Sequence, residues 1–190
     1  MKIQEQHEAT ILQLQEQIAQ LKQEKAVLRA ELNSCQQTEA SLRLSERRFR
    51  TIFEQAPTSI QILLPNGRTL HANRANYELF NVPANFYDYS YNILDDQQLV
   101  DNGIMPLIHR AFAGEAVTFP PVFYDSGQSM PSEFSEHKGC KTWTQGIMYP
   151  IKDEQGSFDE IVLMHVDITA LKAAEAAILE EQERAAQEHS

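Results

Sequence analysis

The sequence predicts an α+β protein: a five-stranded antiparallel sheet with short helices on one face, preceded by a long coiled-coil helix and followed by a C-terminal helix. Three observations predict it. Residues 1–45 contain no Gly or Pro and carry apolar side chains at alternating steps of three and four. All 7 Gly and 8 Pro fall within 46–169, where short β-rich runs alternate with turn signals. Residues 170–190 are rich in Ala, Glu and Gln, all good helix formers in an exposed setting. The expected divisions are therefore 1–45, 46–169 and 170–190.

The first segment carries a heptad seam. Ile11, Ile18, Lys25, Leu32 and Glu39 take the a positions; Leu14, Leu21, Leu28, Cys35 and Leu42 take d. Ile at a with Leu at d favours two parallel strands, and Lys25 at a gives up stability for register. Glu24 at g and Arg29 at the following e are spaced to pair across strands. A homodimer through a parallel coiled coil, held by Ile11, Leu14, Ile18, Leu21, Leu28 and Leu32, is expected. A lone amphipathic helix is the alternative.

The globular elements read in order. A short amphipathic helix covers 46–55, with Phe49, Ile52 and Phe53 on one side, and stops before Pro57. A strand over 59–64 turns at Asn66-Gly67, a strong hairpin signal, into a second strand over 68–72. Asn73 is placed to cap a short helix carrying Tyr77, Leu79 and Phe80. Residues 85–96 are polar and aromatic without a clear period. One helix is expected over 98–112, ending at Gly114. Three strands follow, over 116–124, 142–151 and 158–166, the last two joined by the turn 153–156. The long loop 125–141, rich in Ser, Gly and Pro, has a length typical of functional or disordered segments. The tail reads as a helix continuing a coil, with Ile168, Leu171, Glu175, Ile178, Gln182 and Ala185 on a weak seam.

Composition excludes several classes. A net charge of −11 leaves little to release phosphate counterions, so nucleic-acid binding is not expected. No apolar run nears the about 18 residues that span a bilayer. The opening MKIQE is too polar to begin a secretory signal, and a cytoplasmic location is expected. Cys35 and Cys140 make no disulfide framework. A phosphate-cradling Gly-rich loop, a nucleophile elbow and a recognisable Cys-His pair are all missing, so the chain is not expected to be an enzyme.

Three stretches carry a family resemblance: SERRFRTIFEQAPTSIQILLPNGRTLHANRANYELF at 45–80, AFAGEAV at 111–117, and YPIKDEQGSFDEIVLMHVDITALKAAE at 149–175. Together they resemble a PAS domain over about residues 44–175, with Asp167-Ile168-Thr169 in the place of the family's D-I-T exit motif. The texture of 91–125 is similar to sensor domains of bacterial, especially cyanobacterial, histidine kinases. The resemblance implies strand order 2-1-5-4-3. It also implies a sensor of small molecules, redox state or light, or a plain dimerisation module, coupled through coiled coils to a downstream kinase or cyclase domain. The phosphoacceptor box and ATP-binding motifs of a histidine kinase are not in this chain.

Strand alternation puts Ile161, Leu163 and His165 on one face of the last strand and Val162, Met164 and Val166 on the other. Both faces are apolar, so both are expected to be covered. By comparison with flavin-binding family members, His165 points into the pocket, with Thr144, Gly146 and Met148 inward on the preceding strand. Trp143, Ile147 and Tyr149 are left for the outer face. His165 stays open between ligand contact, a core histidine satisfied by Tyr77, Thr144 or a backbone carbonyl, and metal or haem ligation. Its companions are Leu163, Gln61, Asn73, Tyr77, Ile108 and Phe112; for Asn73 the helix-cap reading is preferred. The absence of Cys from 84–100 excludes flavin-cysteinyl chemistry, and His109 stands too near Gly114 to match the family's haem ligand. No cofactor is assigned. Glu133, Glu136, His137 and Cys140 form a weak zinc-like cluster, with a solvated loop preferred. Asp167, Ile168 and Thr169 are expected to relay pocket state into the exit helix, Asp167 and Thr169 by capping it. A constitutive, ligand-free dimerisation module is the alternative function.

Overall fold

Helix α1 (Lys2–Gln55) runs without interruption through the expected junction at residue 45. The sequence there offers no Gly, Pro or cap, and the i,i+4 pairs Glu39–Arg43 (2.6 Å) and Glu46–Arg50 (3.0 Å) tie successive turns together. It ends just before Pro57, whose ring disfavours helical geometry at residue 56. The computed structural model describes residues 2–83, 85–88, 91–130, 134, 136 and 138–188, with helix side chains described from residue 13 to residue 187. The chain forms two compact units that meet between Thr51 and Ile52. In the first, the seam residues Leu14, Ile18, Leu21, Leu28 and Leu32 are all at least 51% exposed in the single chain. The side chain of Ile11 lies outside the described residues.

The second unit holds the sheet. Strand β1 (Ser59–Leu63) turns through Asn66-Gly67 into β2 (Thr69–Ala72), closed by Leu64 N–H to Arg68 O at 2.9 Å. Gly67 adopts φ +84°, and a side chain there would drive into Asn92 and Leu94, so the turn also seats the 92–95 segment against the hairpin. Helix α2 (Arg74–Phe80) follows, capped by Asn73. Short 3-10 turns at Phe86–Asp88 and Ile93–Asp95 lead to α3 (Gln97–Asp101) and α4 (Met105–Phe112). The single helix expected over 98–112 is thus two. Gly103 at φ +70° stops the first, and Pro106, lacking an N–H, opens the second.

The strand expected over 116–124 is also divided, into β3 (Val117–Thr118) and β4 (Val122–Asp125), because Pro120-Pro121 cannot donate to the ladder. Both halves pair with β5 (Lys141–Lys152), which pairs in turn with β6 (Phe158–Asp167). The sheet therefore has six strands in the order β2-β1-β6-β5-β3, with β4 beside β3 on the edge of β5, and every pairing is antiparallel. With β3 and β4 counted as one broken strand, this is the expected order. Helix α5 (Thr169–Glu188) leaves directly from β6.

The inner face of the sheet packs on α4 and the 3-10 turns around Leu63, Ile104, Ile108, Met148, Ile161 and Leu163. A second cluster joins Phe80, Val82 and Phe86. The outer face of β6 is only partly covered within the single chain: Val162 is buried, while Val166 is 56% exposed.

Asn73 ties these parts together. It has no accessible surface; its Oδ1 accepts from Ile60 N (2.9 Å) and Asn76 N (3.0 Å), and its Nδ2 donates to Phe53 O (3.0 Å) and Thr58 O (2.9 Å). Asn73→Ala leaves the Ile60 N–H and the Phe53 and Thr58 carbonyls, all part-buried, without this partner, while Asn76 N–H keeps the Asn73 carbonyl. A loss of about 3 kcal/mol is expected in denaturant unfolding of the sheet-bearing unit. A loss below about 1 kcal/mol would contradict this account.

Candidate functional site

A cavity of about 50 Å³ lies between the inner face of the sheet and the segments that cross it. Strand alternation delivers Gln61 from β1, Thr144 and Gly146 from β5, and Leu163 and His165 from β6. The opposite wall comes from Phe86, Tyr87, Tyr91 and Ile93 on the 3-10 segment, with Ile108 of α4 and Tyr124 of β4. Gly146 faces His165 across the β5–β6 pair; a Cβ there would sit 2.9 Å from the Phe119 ring, so only glycine lets that ring and the imidazole share the wall.

His165 is enclosed. The Phe80 ring meets it edge-on at 5.1 Å, and Ser59 Oγ lies 3.3 Å from its Nδ1. The satisfying group is thus Ser59, paired across from it on β1, and not Tyr77 or Thr144. Burial pushes the imidazole from its ordinary value of 6.5 down to about 4, so it is neutral at physiological pH.

The sequence-predicted companions divide. Gln61, Thr144, Ile108 and Leu163 line the cavity with His165. Met148 points inward but is sealed in the core, and Phe112 packs at its edge. Tyr77 packs with Tyr87 at 5.6 Å in the second cluster and does not itself line the cavity. Asn73 is consumed by its four hydrogen bonds and serves as the helix cap. Of the loop cluster, Glu133 and His137 lie outside the described residues; the Cys140 thiol donates to Leu79 O at 3.0 Å.

The aromatic wall was not foreseen. Its only signal was composition, three Tyr and one Phe crowded into 86–91, because a segment of 3-10 turns has no period to read. The hydroxyls of this wall turn away from the cavity. Tyr91 (3.2 Å) and Tyr124 (2.6 Å) both donate to Asp96 Oδ2, which also accepts from Ser129 Oγ at 3.1 Å, while Asp96 Oδ1 accepts the N–H of Gln98 at 2.9 Å. Burial first, then neighbouring groups including the Asp96 carboxylate, holds the Tyr91 and Tyr124 phenols above their usual range. Rings face inward, so the cavity is mainly apolar.

At the far end of β6, Asp167 Oδ1 accepts the N–H of Thr169 at 2.8 Å. Thr169, through its hydroxyl and then its backbone N–H, holds the Asp167 carboxyl below the usual carboxylate range. Thr169 does not cap the helix itself. Its Oγ1 accepts from Trp143 N (3.0 Å) and lies 3.0 Å from the Thr142 hydroxyl, while Ile168 N–H donates to Trp143 O (2.8 Å). Lys172 adds a cation–π contact to the Trp143 ring at 5.8 Å. The start of α5 is thereby tied to β5 at Trp143.

The two large cofactors raised by the family resemblance, flavin and haem, fit this cavity poorly. An engineered cavity that takes up benzene is on the order of 150 Å³, and a site of about 50 Å³ holds neither a flavin nor a haem. His109 is exposed on α4.

No protein-family model matches the chain, and no curated protein sequence matches it. Solved structures do. The PAS domain of an HTR-like protein from Haloarcula marismortui superposes with a TM-score of 0.50 at 13% identity, covering 70% of this chain and 99% of that one. An RNA-binding light-oxygen-voltage receptor gives 0.51 at 16% identity, covering 73% of this chain and 37% of the receptor. A PAS domain from a two-component sensor histidine kinase gives 0.47 at 13% identity, covering 66% and 97%. The sheet-bearing unit has the PAS fold.

The neutral His165 sets a pH dependence. Above pH 6.5 the imidazole is uncharged folded or unfolded and contributes no slope. As pH falls from 6.5 towards 4, the unfolded chain takes up a proton that the folded chain refuses, so stability drops. Over that window the wild type is expected to lose about 3 kcal/mol more than His165→Leu, measured by denaturant unfolding. Parallel pH profiles for the two proteins would contradict a buried neutral imidazole.

Proposed function

We propose that the chain is a dimeric sensory module that reads the state of its cavity through β6 and passes it by α5 to a downstream effector, most simply a histidine kinase. The carrying observation is that one strand serves both ends. His165 lines the cavity, and two residues later Asp167 accepts the first N–H of the outgoing helix. The PAS fold supports a signalling role, and the exposed seam of α1 supports assembly through a parallel coiled coil. The kinase or cyclase is the partner class that the fold suggests; this chain itself is assigned no catalytic step. Among the described residues, no helix is long and apolar enough to cross a membrane.

A second reading has its own support. A cavity of about 50 Å³ is small, which favours a constitutive dimerisation and spacing module with a filled core. The two readings separate at the junction. In the sensory reading, His165→Leu alters amide exchange at Ile168 and Lys172 about severalfold without unfolding the sheet, because the wall and the helix start share β6. Exchange at those two amides unchanged from wild type favours the spacer.

Assembly is tested independently. Leu21→Lys with Leu28→Lys places charges in the seam and is expected to convert a dimer of twice 21.7 kDa into a 21.7 kDa monomer in light scattering. A wild-type chain that is already monomeric at micromolar concentration removes the coil from the proposal.

A further inference from the structure

A buried polar chain connects two walls of the cavity. Tyr87 Oη lies 2.6 Å from Asn76 Oδ1, Asn76 Nδ2 lies 3.0 Å from Ser59 Oγ, and Ser59 Oγ lies 3.3 Å from His165 Nδ1. Asn76 has no accessible surface, and Ser59 is 3% exposed. The direction of this chain decides what the cavity presents.

The spacings set that direction. A separation of 2.6 Å suits O–H···O and is short for N–H···O, while 3.0 Å is ordinary for N–H···O. Tyr87 therefore donates to the Asn76 carbonyl oxygen, and the Asn76 amide donates to Ser59. The reverse orientation would leave the Tyr87 proton with no acceptor. Ser59 has one proton, and His165 Nδ1 is the acceptor in reach. A neutral imidazole that accepts at Nδ1 carries its own proton on Nε2. Nε2 makes no hydrogen bond in the structure, yet no buried side-chain nitrogen or oxygen lacks a partner, so Nε2 retains accessible surface at the cavity His165 lines. The remaining wall offers mostly rings and aliphatic groups.

The geometry points to a small, uncharged, carbonyl-type ligand whose oxygen accepts from His165 Nε2–H, with Tyr87, Asn76 and Ser59 as the positioning residues that hold this tautomer. The assignment rests on the reading of the cavity as a ligand site and gives that site a chemistry. A neutral donor in an apolar wall discriminates by hydrogen bonding: an acceptor is rewarded, and an isostere without one leaves the N–H unsatisfied. A charged ligand would be stripped of water without a counter-charge, since no side chain lining the cavity is ionised at neutral pH.

The experiment uses the full chain with isotope-labelled histidine and two probes of matching shape, acetone and isobutene. In nitrogen-detected spectra the wild type is expected to carry the His165 proton on Nε2, with Nδ1 bare. Ser59→Ala is expected to mix the two tautomers. Acetone is expected to shift the His165 Nε2–H signal and to bind about twofold more weakly in Ser59→Ala, in proportion to the fraction of His165 that keeps its proton on Nε2. Isobutene should bind both proteins alike. A wild-type His165 protonated on Nδ1 overturns the proposal, and this holds even where Ser59→Ala fails to fold; Tyr87→Phe provides the second variant. Acetone and isobutene moving the Leu163 and Ile108 methyls equally overturns the acceptor rule while leaving a ligand site. Neither probe moving those methyls overturns the ligand site itself, and the acceptor rule with it.

Discussion

Strand β6 is hydrogen-bonded along both edges, to β1 on one side and β5 on the other, and the rest of the site depends on this double pairing. A strand held on both sides cannot slip by one residue without turning its inward set outward. Register therefore assigns Leu163 and His165 to the cavity, Ser59 to the position opposite His165, and Gly146 to the space beside it. None of these placements needs a side chain to choose a conformation. They follow from a two-residue repeat and a fixed pairing.

Given that frame, burial of polar groups becomes the next constraint. Polar atoms removed from water need partners, and the described residues contain no buried side-chain nitrogen or oxygen without one. Two networks meet the requirement. One runs from Tyr87 through Asn76 and Ser59 to His165; the other gathers Tyr91, Tyr124, Ser129 and Gln98 on Asp96. Both pull hydroxyls outward from the cavity and leave ring faces inward. The apolar character of the cavity is thus a consequence of where its tyrosines find hydrogen bonds, and Asp96, behind the wall, fixes the wall's orientation.

Those features were legible in the sequence to different degrees. Period-two alternation put Leu163 and His165 on one face of the last strand, the family resemblance turned that face and Thr144 inward, and Asn66-Gly67 marked the hairpin; packing overrode none of these. The D-I-T resemblance located the strand-to-helix junction. The breaks were misread where a single residue type interrupts a longer pattern. Pro120-Pro121 divides a strand whose flanks still alternate, and Gly103 with Pro106 divides a helix whose flanks remain amphipathic. Met148 shares the inward parity of Thr144 but reaches the core, not the cavity, because parity gives a face and not a depth. The Ser59–Asn76 link joins residues 17 apart in sequence, and the aromatic wall likewise gathers residues of different elements; no periodic pattern reports such contacts.

The same constraint limits how the proposed signal can leave the domain. Trp143 is held at both backbone groups, its carbonyl by Ile168 N–H and its N–H by the Thr169 hydroxyl, so the first turn of α5 is bound to β5 as well as continuous with β6. Sliding β6 along β5 would break those two bonds together with the ladder from Thr144–Asp167 to Met148–Leu163. A rearrangement at the His165 wall that keeps the ladder intact can instead change the twist of the β5–β6 hairpin, and twist is the soft coordinate of a paired ribbon. In the proposed relay a change of twist at the junction would turn the α5 axis, since Asp167 and Thr169 leave no Gly or Pro between strand and helix. The absence of Gly or Pro across residues 157–190 accords with that proposal: a hinge placed there would absorb the rotation that the helix is proposed to carry.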